Sequence, residues 1–518
     1  MRSVYSGGIC LFAKIESLAI NGVDAFQVLI EVDLRFGIPC FDIVGLPDAA
    51  VKEARERVRA AIKNSHFSFY EHRITVNLAP ANIKKEGSGF DLPIAIGILA
   101  AKEDLRPDHF TDAAFVGELA LDGSVRPVNG ILPMALAARE GKKKYLVLPA
   151  ENYAEAAVIS GIVPVAVNNL REVKEFLNND SIPELKLVTN MDHAIALEED
   201  DLADVKGQEQ AKRALEVAAA GGHNILMIGP PGSGKTMLAR RLPGIMPSLS
   251  EKEAIDITKI YSVSGLLSPG VSLIQQRPFR APHHTTSSAG LIGGGRIPHP
   301  GEVSLAHHGV LFLDELPEFP RDVLEVLRQP LEDGKVTIAR AATTLSFPAR
   351  FMLAASMNPC PCGFFGDPVK ACTCSPVGIQ RYQNRISGPL LDRFDLQIEV
   401  PRLAEFEFES LQKGESSLTI RQRVERARQI QRTRYANTPH FCNAYMNSKE
   451  LHEYCQLDQA GKDLLRQAVQ RFSLSARAYT RILKLARTIA DLEGASIIGL
   501  AHLAEAIQYR SLDRKRFA

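Results

Sequence analysis

The chain has 518 residues, with 61 Lys and Arg against 60 Asp and Glu and a formal net charge of +1, which is too long for one core when domains run to about 100–200 residues. Apolar residues make up 45% and charged residues 23%, the balance of an ordinary globular protein, so global disorder is excluded. The opening MRSVYSGGICLFAKIESL has no basic stretch followed by an apolar one, and the longest smoothly apolar run, Leu92–Ala101, falls well short of the ~20 residues of a membrane helix; no membrane and a cytoplasmic location are expected.

Residues 1–177 mix strand-like runs (Phe26–Val32, Arg73–Leu78, Lys144–Leu148) with helical ones (Ala49–Lys63, Leu132–Glu140), which is α+β material punctuated by Gly and Pro. Residues 178–201 are polar, acidic at their end and without periodicity, and read as a linker. Residues 202–400 alternate short apolar strands with helices in the βαβ manner, and residues 401–518 place Leu, Ile and Ala at helical spacing.

The second block carries the chemistry. Gly229, Pro230, Pro231, Gly232, Ser233, Gly234, Lys235 and Thr236 spell GPPGSGKT directly after the apolar strand Asn224–Ile228. Such a loop turns backbone N–H groups inward around phosphates, Lys235 reaches the β- and γ-phosphates, and Thr236 ligates Mg²⁺. Gly309–Leu316, GVLFLDEL, is a buried strand ending in two carboxylates: Asp314 would hold Mg²⁺ through water and Glu315 would polarise the attacking water. Phe351–Pro359, FMLAASMNP, is another apolar strand, ending in Asn358, which can orient the lytic water between the two phosphate motifs. In Arg385–Asp395, RISGPLLDRFD, an arginine beyond the nucleotide's own carboxylates is placed to reach a neighbouring subunit's γ-phosphate, and Arg393 is the candidate. Four cysteines, Cys360, Cys362, Cys372 and Cys374, form two C-x-C pairs. Four thiolates close a tetrahedral zinc site if the pairs converge, and are free thiols if the loop holds them apart.

The third block is basic. From Arg402 to Ala518 there are 20 Lys and Arg against 13 Asp and Glu, a difference of +7 that leaves 1 − 7 = −6 for the rest. The helical run Ile420–Tyr435 carries Arg421, Arg423, Arg426, Arg428, Arg432 and Arg434, which suit either a polyanion or a solvated surface; Arg426 and Arg428 are the candidate contacts to a polyanion. The helix Leu474–Leu492 opens with Arg477, which can touch the nucleotide from above.

The ordered set GPPGSGKT, APHHTTSSAGLIGGG, GEVSLAHHGVLFLDELPEF, RQPLEDGKVTIARA, MNPCPCGFFGD, RISGPLLDRFD and SARAYTRILKLARTIADL resembles the magnesium-chelatase-like AAA+ proteins of bacteria, the competence protein ComM group, also called YifB. The resemblance covers essentially the whole chain. It implies an α/β P-loop AAA+ core, an N-terminal α+β Lon-protease-like domain and a C-terminal α-helical lid. It also implies a homo-hexameric ring that uses ATP and Mg²⁺ as a DNA helicase, driving branch migration on single-stranded and branched DNA while transforming DNA is integrated by homologous recombination. A chelatase-type motor remodelling a protein partner is the alternative. The N-terminal block weighs against it, because the chelatase ATPase subunit resembles only the AAA+ part, and so does the basic third block.

Within that resemblance, two insertions would project into a central pore: Phe279–Pro300, with Arg280 and Arg296, and the hairpin Lys335–Phe347, with Arg340 near its turn. All three arginines are candidate phosphate contacts. The N-terminal block is similar to the Lon protease domain through KKEGSGFDLPIAIGILAA and GELALDGSVRPVNGILPMALAAREGKKKYLVLPAEN. The nucleophile's place holds Gly89, with Ser88 one residue early, and the helix that should supply the lysine, Gly130–Ala138, has none. An inactive protease fold is expected.

Overall fold

A computed structural model of the chain describes residues 11–68, 72–105, 110–179, 182–183, 200–295, 298–339, 344–402, 414–438, 440–472 and 474–510. Arg296, Arg340 and most of 178–201 lie outside them. The described residues fall into two compact units, those within 1–194 and 254–274, and those within 195–253 and 275–518.

In the first unit the long strands Leu11–Asn21 and Asp24–Arg35 pair antiparallel across a two-residue turn, and Arg73–Ala79 and Cys40–Val44 complete a four-stranded sheet. Alternation of buried and half-buried positions along Asp24–Arg35 gives the sheet one core face. That face packs on Asp91–Ala101, a helix apolar on all sides and therefore buried all round. The apolar run of the sequence is thus a core helix, and among the described residues no helix is long and apolar enough to cross a membrane. A three-stranded parallel sheet, Ala113–Phe115, Tyr145–Pro149 and Val163–Val167, lies in the same unit.

The second unit is built on five parallel strands. Across the sheet they run Phe279–Arg280, Val310–Leu313, Met352–Met357, Ile225–Ile228 and Leu396–Glu399. The three inner strands, Val310–Leu313, Met352–Met357 and Ile225–Ile228, are short and nearly continuous in apolar residues, as strands covered on both faces must be. Numbered along the chain, the order is 2-3-4-1-5, so the first strand lies where the winding reverses, the place where open α/β sheets bind ligands. The helices Ser417–Arg434 and Ala476–Leu492 share the core of this sheet: Ile420, Val424, Ile482 and Ile489 pack with Ile225, Met227, Ala354 and Leu396. The expected hairpin is present as Lys335–Ala339 against Thr344–Pro348, and a short second ladder pairs Gly293–Gly294 with His299–Pro300.

Candidate functional site

Three neighbouring parallel strands end side by side and deliver the three motifs to one edge: Ile225–Ile228 leads into Gly229, Val310–Leu313 into Asp314, and Met352–Met357 into Asn358. Gly229 passes so close to the next strand's end that a Cβ would stand 2.1 Å from the Val400 carbonyl oxygen, so only glycine starts this loop. Gly232 and Gly234, with φ of +77° and +86°, then turn the backbone into the helix Lys235–Arg240.

Lys235 is buried, and its Nζ donates to the carbonyls of Gly229 and Pro230, both at 2.8 Å, with Asn358 Oδ1 at 3.4 Å. Burial pulls its pKa down to about 8, although Asp314 and Glu315 act in the opposite sense. Thr236 Oγ1 donates to Asp314 Oδ2 at 2.7 Å. A hydroxyl and a carboxylate oxygen on one spot are the donor set of a hard divalent cation, so the residues present fit Mg²⁺. Glu315 sits at φ +53°, a conformation that a non-glycine residue adopts at a cost, and its carboxylate is exposed. Its backbone N–H donates to Asp314 Oδ1 at 3.0 Å.

Two residues here, Ser356 and Gln208, were not singled out from sequence. Ser356, buried in the strand before Asn358, donates its hydroxyl to Asp314 Oδ1 and fixes the carboxylate's rotamer. A lone polar residue inside an apolar strand was the available signal. Gln208 donates from Nε2 to Ser233 O at 2.6 Å and so clamps the phosphate loop from outside. His284 places Nδ1 3.8 Å from Glu315 Oε2 and stacks on His283 at 4.0 Å between centroids.

The two candidate arginines lie elsewhere. Arg393 accompanies the opposite end of the sheet: its carbonyl accepts from Asn224 Nδ2 at 2.9 Å, and Asn224 precedes the strand whose other end carries the phosphate loop. Four residues of strand separate those ends, about 13 Å at the usual rise. The buried Arg393 donates to Pro389 O and Glu332 Oε1, and its Nε has no partner. Burial pushes this guanidinium below its ordinary value, Glu332 pulls it back, and Arg328, Arg477 and Arg481 push it down again. Arg477 lines the same cavity of about 220 Å³ and stands 3.9 Å from Asp392. Arg477 is therefore beside Arg393 rather than over its own chain's phosphate loop, because the helix it opens is anchored at the far strand end. The anchor is Asp395, buried and paired with Arg481 and His223, whose Nε2 meets Thr488 Oγ1 at 2.8 Å. Burial alone would raise the Asp395 pKa; Arg481 and His223 hold it well below the usual carboxylate range.

The arginine-rich helix Ser417–Arg434 mostly serves the fold. Arg428 is buried, donating to Ala219 O at 3.1 Å and Phe441 O at 3.4 Å, so its guanidinium is engaged within the fold even though it borders the groove of Arg426. Arg421 is bound to Gly244 O, Arg423 to Glu216 and Glu415, and Arg434 to Asp491. Arg426 is exposed and, with Arg432, lines an open groove beside Ser248 and Gln429. Arg280 is held by both oxygens of Glu302 at 2.6 and 2.8 Å. In the first unit, Ser88 donates to Glu118, and the fully buried Lys85 donates to the carbonyls of Pro80 and Ile83.

The four cysteines converge: Cys360, Cys362 and Cys372 place their Sγ atoms 3.4–3.7 Å apart, and the four Sγ atoms all lie within 4.8 Å of one another.

A glycine-rich loop after the first strand of a 2-3-4-1-5 parallel sheet, with Lys235, a Thr236–Asp314 pair and Asn358 around it, defines a P-loop core of the AAA+, magnesium-chelatase type. Family models agree along the chain. "Magnesium chelatase, subunit ChlI" matches residues 201–408, "Subunit ChlI of Mg-chelatase" residues 30–152, and "Magnesium chelatase, subunit ChlI C-terminal" residues 414–510. The chain is 48% identical to competence protein ComM of Haemophilus influenzae over 97% of its own length and 98% of that protein's. It is 44% identical to YifB of Escherichia coli, covering 96% of this chain and 97% of YifB, and 42% identical to protein Rv2897c of Mycobacterium tuberculosis, covering 96% and 99%. The chain belongs to the ComM/YifB family of magnesium-chelatase-like proteins.

Proposed function

We propose that this chain is an ATP-hydrolysing motor, assembled as a homo-hexameric ring, that moves on single-stranded and branched DNA and promotes branch migration when incoming DNA is recombined during competence. The observation that carries the ATPase part is the joint delivery of Lys235, Thr236, Asp314, Glu315 and Asn358 to one sheet edge. Thr236 and Asp314 would hold magnesium, which would supply neutralisation of the phosphates' charge. Lys235 binds the phosphates, Glu315 takes up the attacking water's proton, and Asn358 orients that water. Arg393 and Arg477, remote from their own phosphate loop, complete a neighbouring subunit's site. Residues 1–177 act as a proteolytically silent Lon-like module, since Ser88 faces a carboxylate instead of an amine. Residues 202–400, apart from 254–274, which group with the first unit, form the motor core and 401–518 the lid, joined to the first module through 178–201. The DNA part rests on the competence protein among the relatives and on the basic third block.

Strand displacement on a three-way DNA branch, with and without ATP, tests the reading. ATP-dependent displacement supports it. ATPase that rises with a protein partner and ignores DNA would favour the chelatase-type motor, which the three family models' names keep in play. Binding isotherms should show log K falling with log salt by about 0.7 per phosphate contacted on single strands, and neutralising Arg426 with Arg432 should flatten that slope.

The depressed Lys235 amine predicts a pH effect on nucleotide binding. Below its pKa of about 8 the ammonium is already present to meet phosphate. Above it, binding must recruit a proton, so affinity for ATP should fall as pH rises, by up to about tenfold per unit. Calorimetry between about pH 7 and pH 9 in buffers of different ionisation enthalpy would report proton uptake appearing with the loss of affinity; a flat affinity would refute the assignment.

A further inference from the structure

The loop between Asn358 and the helix Pro376–Gln383 has no strand or helix, and within it only Cys360 and Gly363 are buried. A loop with so little core of its own needs another source of order. The sulfur geometry supplies one. A tetrahedral zinc site with Zn–S of about 2.3 Å has S···S edges of about 3.8 Å. The Sγ separations of 3.4, 3.6 and 3.7 Å among Cys360, Cys362 and Cys372 lie close to that edge, whereas a disulfide requires about 2.05 Å. Backbone N–H groups also point at the sulfurs: Phe365 at Cys360 (3.3 Å), Cys362 at Cys374 (3.4 Å) and Cys374 at Cys372 (3.4 Å). Such donors stabilise thiolates in a metal's outer shell.

We propose that Cys360, Cys362, Cys372 and Cys374 hold one zinc ion, and that this ion braces the phosphate loop. The brace is a contact. Gly363, inside the cysteine loop, has φ +85°, and a Cβ there would stand 2.6 Å from Cδ and 3.2 Å from Cγ of Pro231. The Gly363 N–H donates to Cys360 O at 3.0 Å, tying that contact to the first ligand. Two residues before Cys360, Asn358 faces Lys235. The ion thus fixes both the residue that faces the lysine and a face against which the phosphate loop rests. The bracing half depends on the nucleotide-site reading given above; the ion-binding half does not.

The full chain, purified without added metal or chelator, should contain about one zinc per chain by elemental mass spectrometry, released by an organomercurial and absent from Cys362→Ser/Cys372→Ser. ATP turnover of the stripped protein should fall about tenfold or more, the scale on which outer-shell support acts. Gly363→Ala should keep its zinc and lose turnover to a similar extent, because the added methyl meets a rigid proline ring. If the double cysteine variant fails to fold, the stripped wild type and Gly363→Ala still decide. Folded protein without zinc, with iron in its place, or with disulfides detected by mass would overturn the ion. Normal turnover in both the stripped protein and Gly363→Ala would overturn the brace. A zinc-loaded wild type that hydrolyses no ATP would overturn the brace together with the nucleotide-site reading, while leaving the ion assigned.

Discussion

Arg393→Ala is expected to bind ATP much as the wild type does and to lose turnover by about 10³–10⁵-fold, the range of a missing arginine finger. The reason is positional. Arg393 sits beside the start of the strand Ile225–Ile228, at the end opposite its own phosphate loop, so its removal leaves the binding groups intact. It also sits where an anion would be welcome: a buried guanidinium with an unpartnered Nε, crowded by Arg477 and Arg481 and countered by the exposed Glu332. A γ-phosphate from an adjoining subunit would replace Glu332 as its partner. Mixing Arg393→Ala with Lys235→Ala subunits separates action within a chain from action between chains, since each variant breaks a different half of a shared site. Some mixed interfaces regain both halves, and ATPase should reappear. No recovery in mixtures shown to co-assemble would rule out action between subunits. Arg477→Ala should follow Arg393→Ala in this test, because the two line one cavity.

Glu315→Gln should bind ATP and stall, with turnover reduced by about 10²–10⁴-fold as for loss of a general base. The amide keeps the side chain's size and its backbone N–H contact to Asp314 but no longer takes the water's proton. Lys235→Ala is the contrasting variant: the site loses the cation that meets the phosphates, so binding itself should fail. Equilibrium binding of a labelled nucleotide beside steady-state turnover distinguishes the two. A Glu315→Gln protein hydrolysing at the normal rate would remove Glu315 from the base's role and direct attention to its neighbour His284.

Much of the core was legible because its parts are local. The phosphate loop, the strand ending in Asp314 and Glu315, and the strand ending in Asn358 each carry their signal within about ten residues, as glycine spacing or as an apolar run closed by a polar group. The apolar run Leu92–Ala101 is legible as too short for a membrane helix, and the fold makes it a core helix. The arginine-rich run Ile420–Tyr435 is legible as a helix, but the destinations of its side chains are not. Arg428 and Arg434 point at Ala219 and Asp491, residues far along the chain, and no periodicity encodes a partner that only tertiary packing brings near.

Thus the sequence by itself determined the phosphate-loop motif and the polar ends of two apolar strands, because loop, strand and cap are properties of short segments. Only the tertiary structure decided their arrangement: that three separate strands lie side by side with their ends together, that Ser356 locks Asp314, that two C-x-C pairs meet, and that Arg477 stands with Arg393. These depend on strand order and on where a helix is anchored, which are set by burying apolar faces from distant segments in one core.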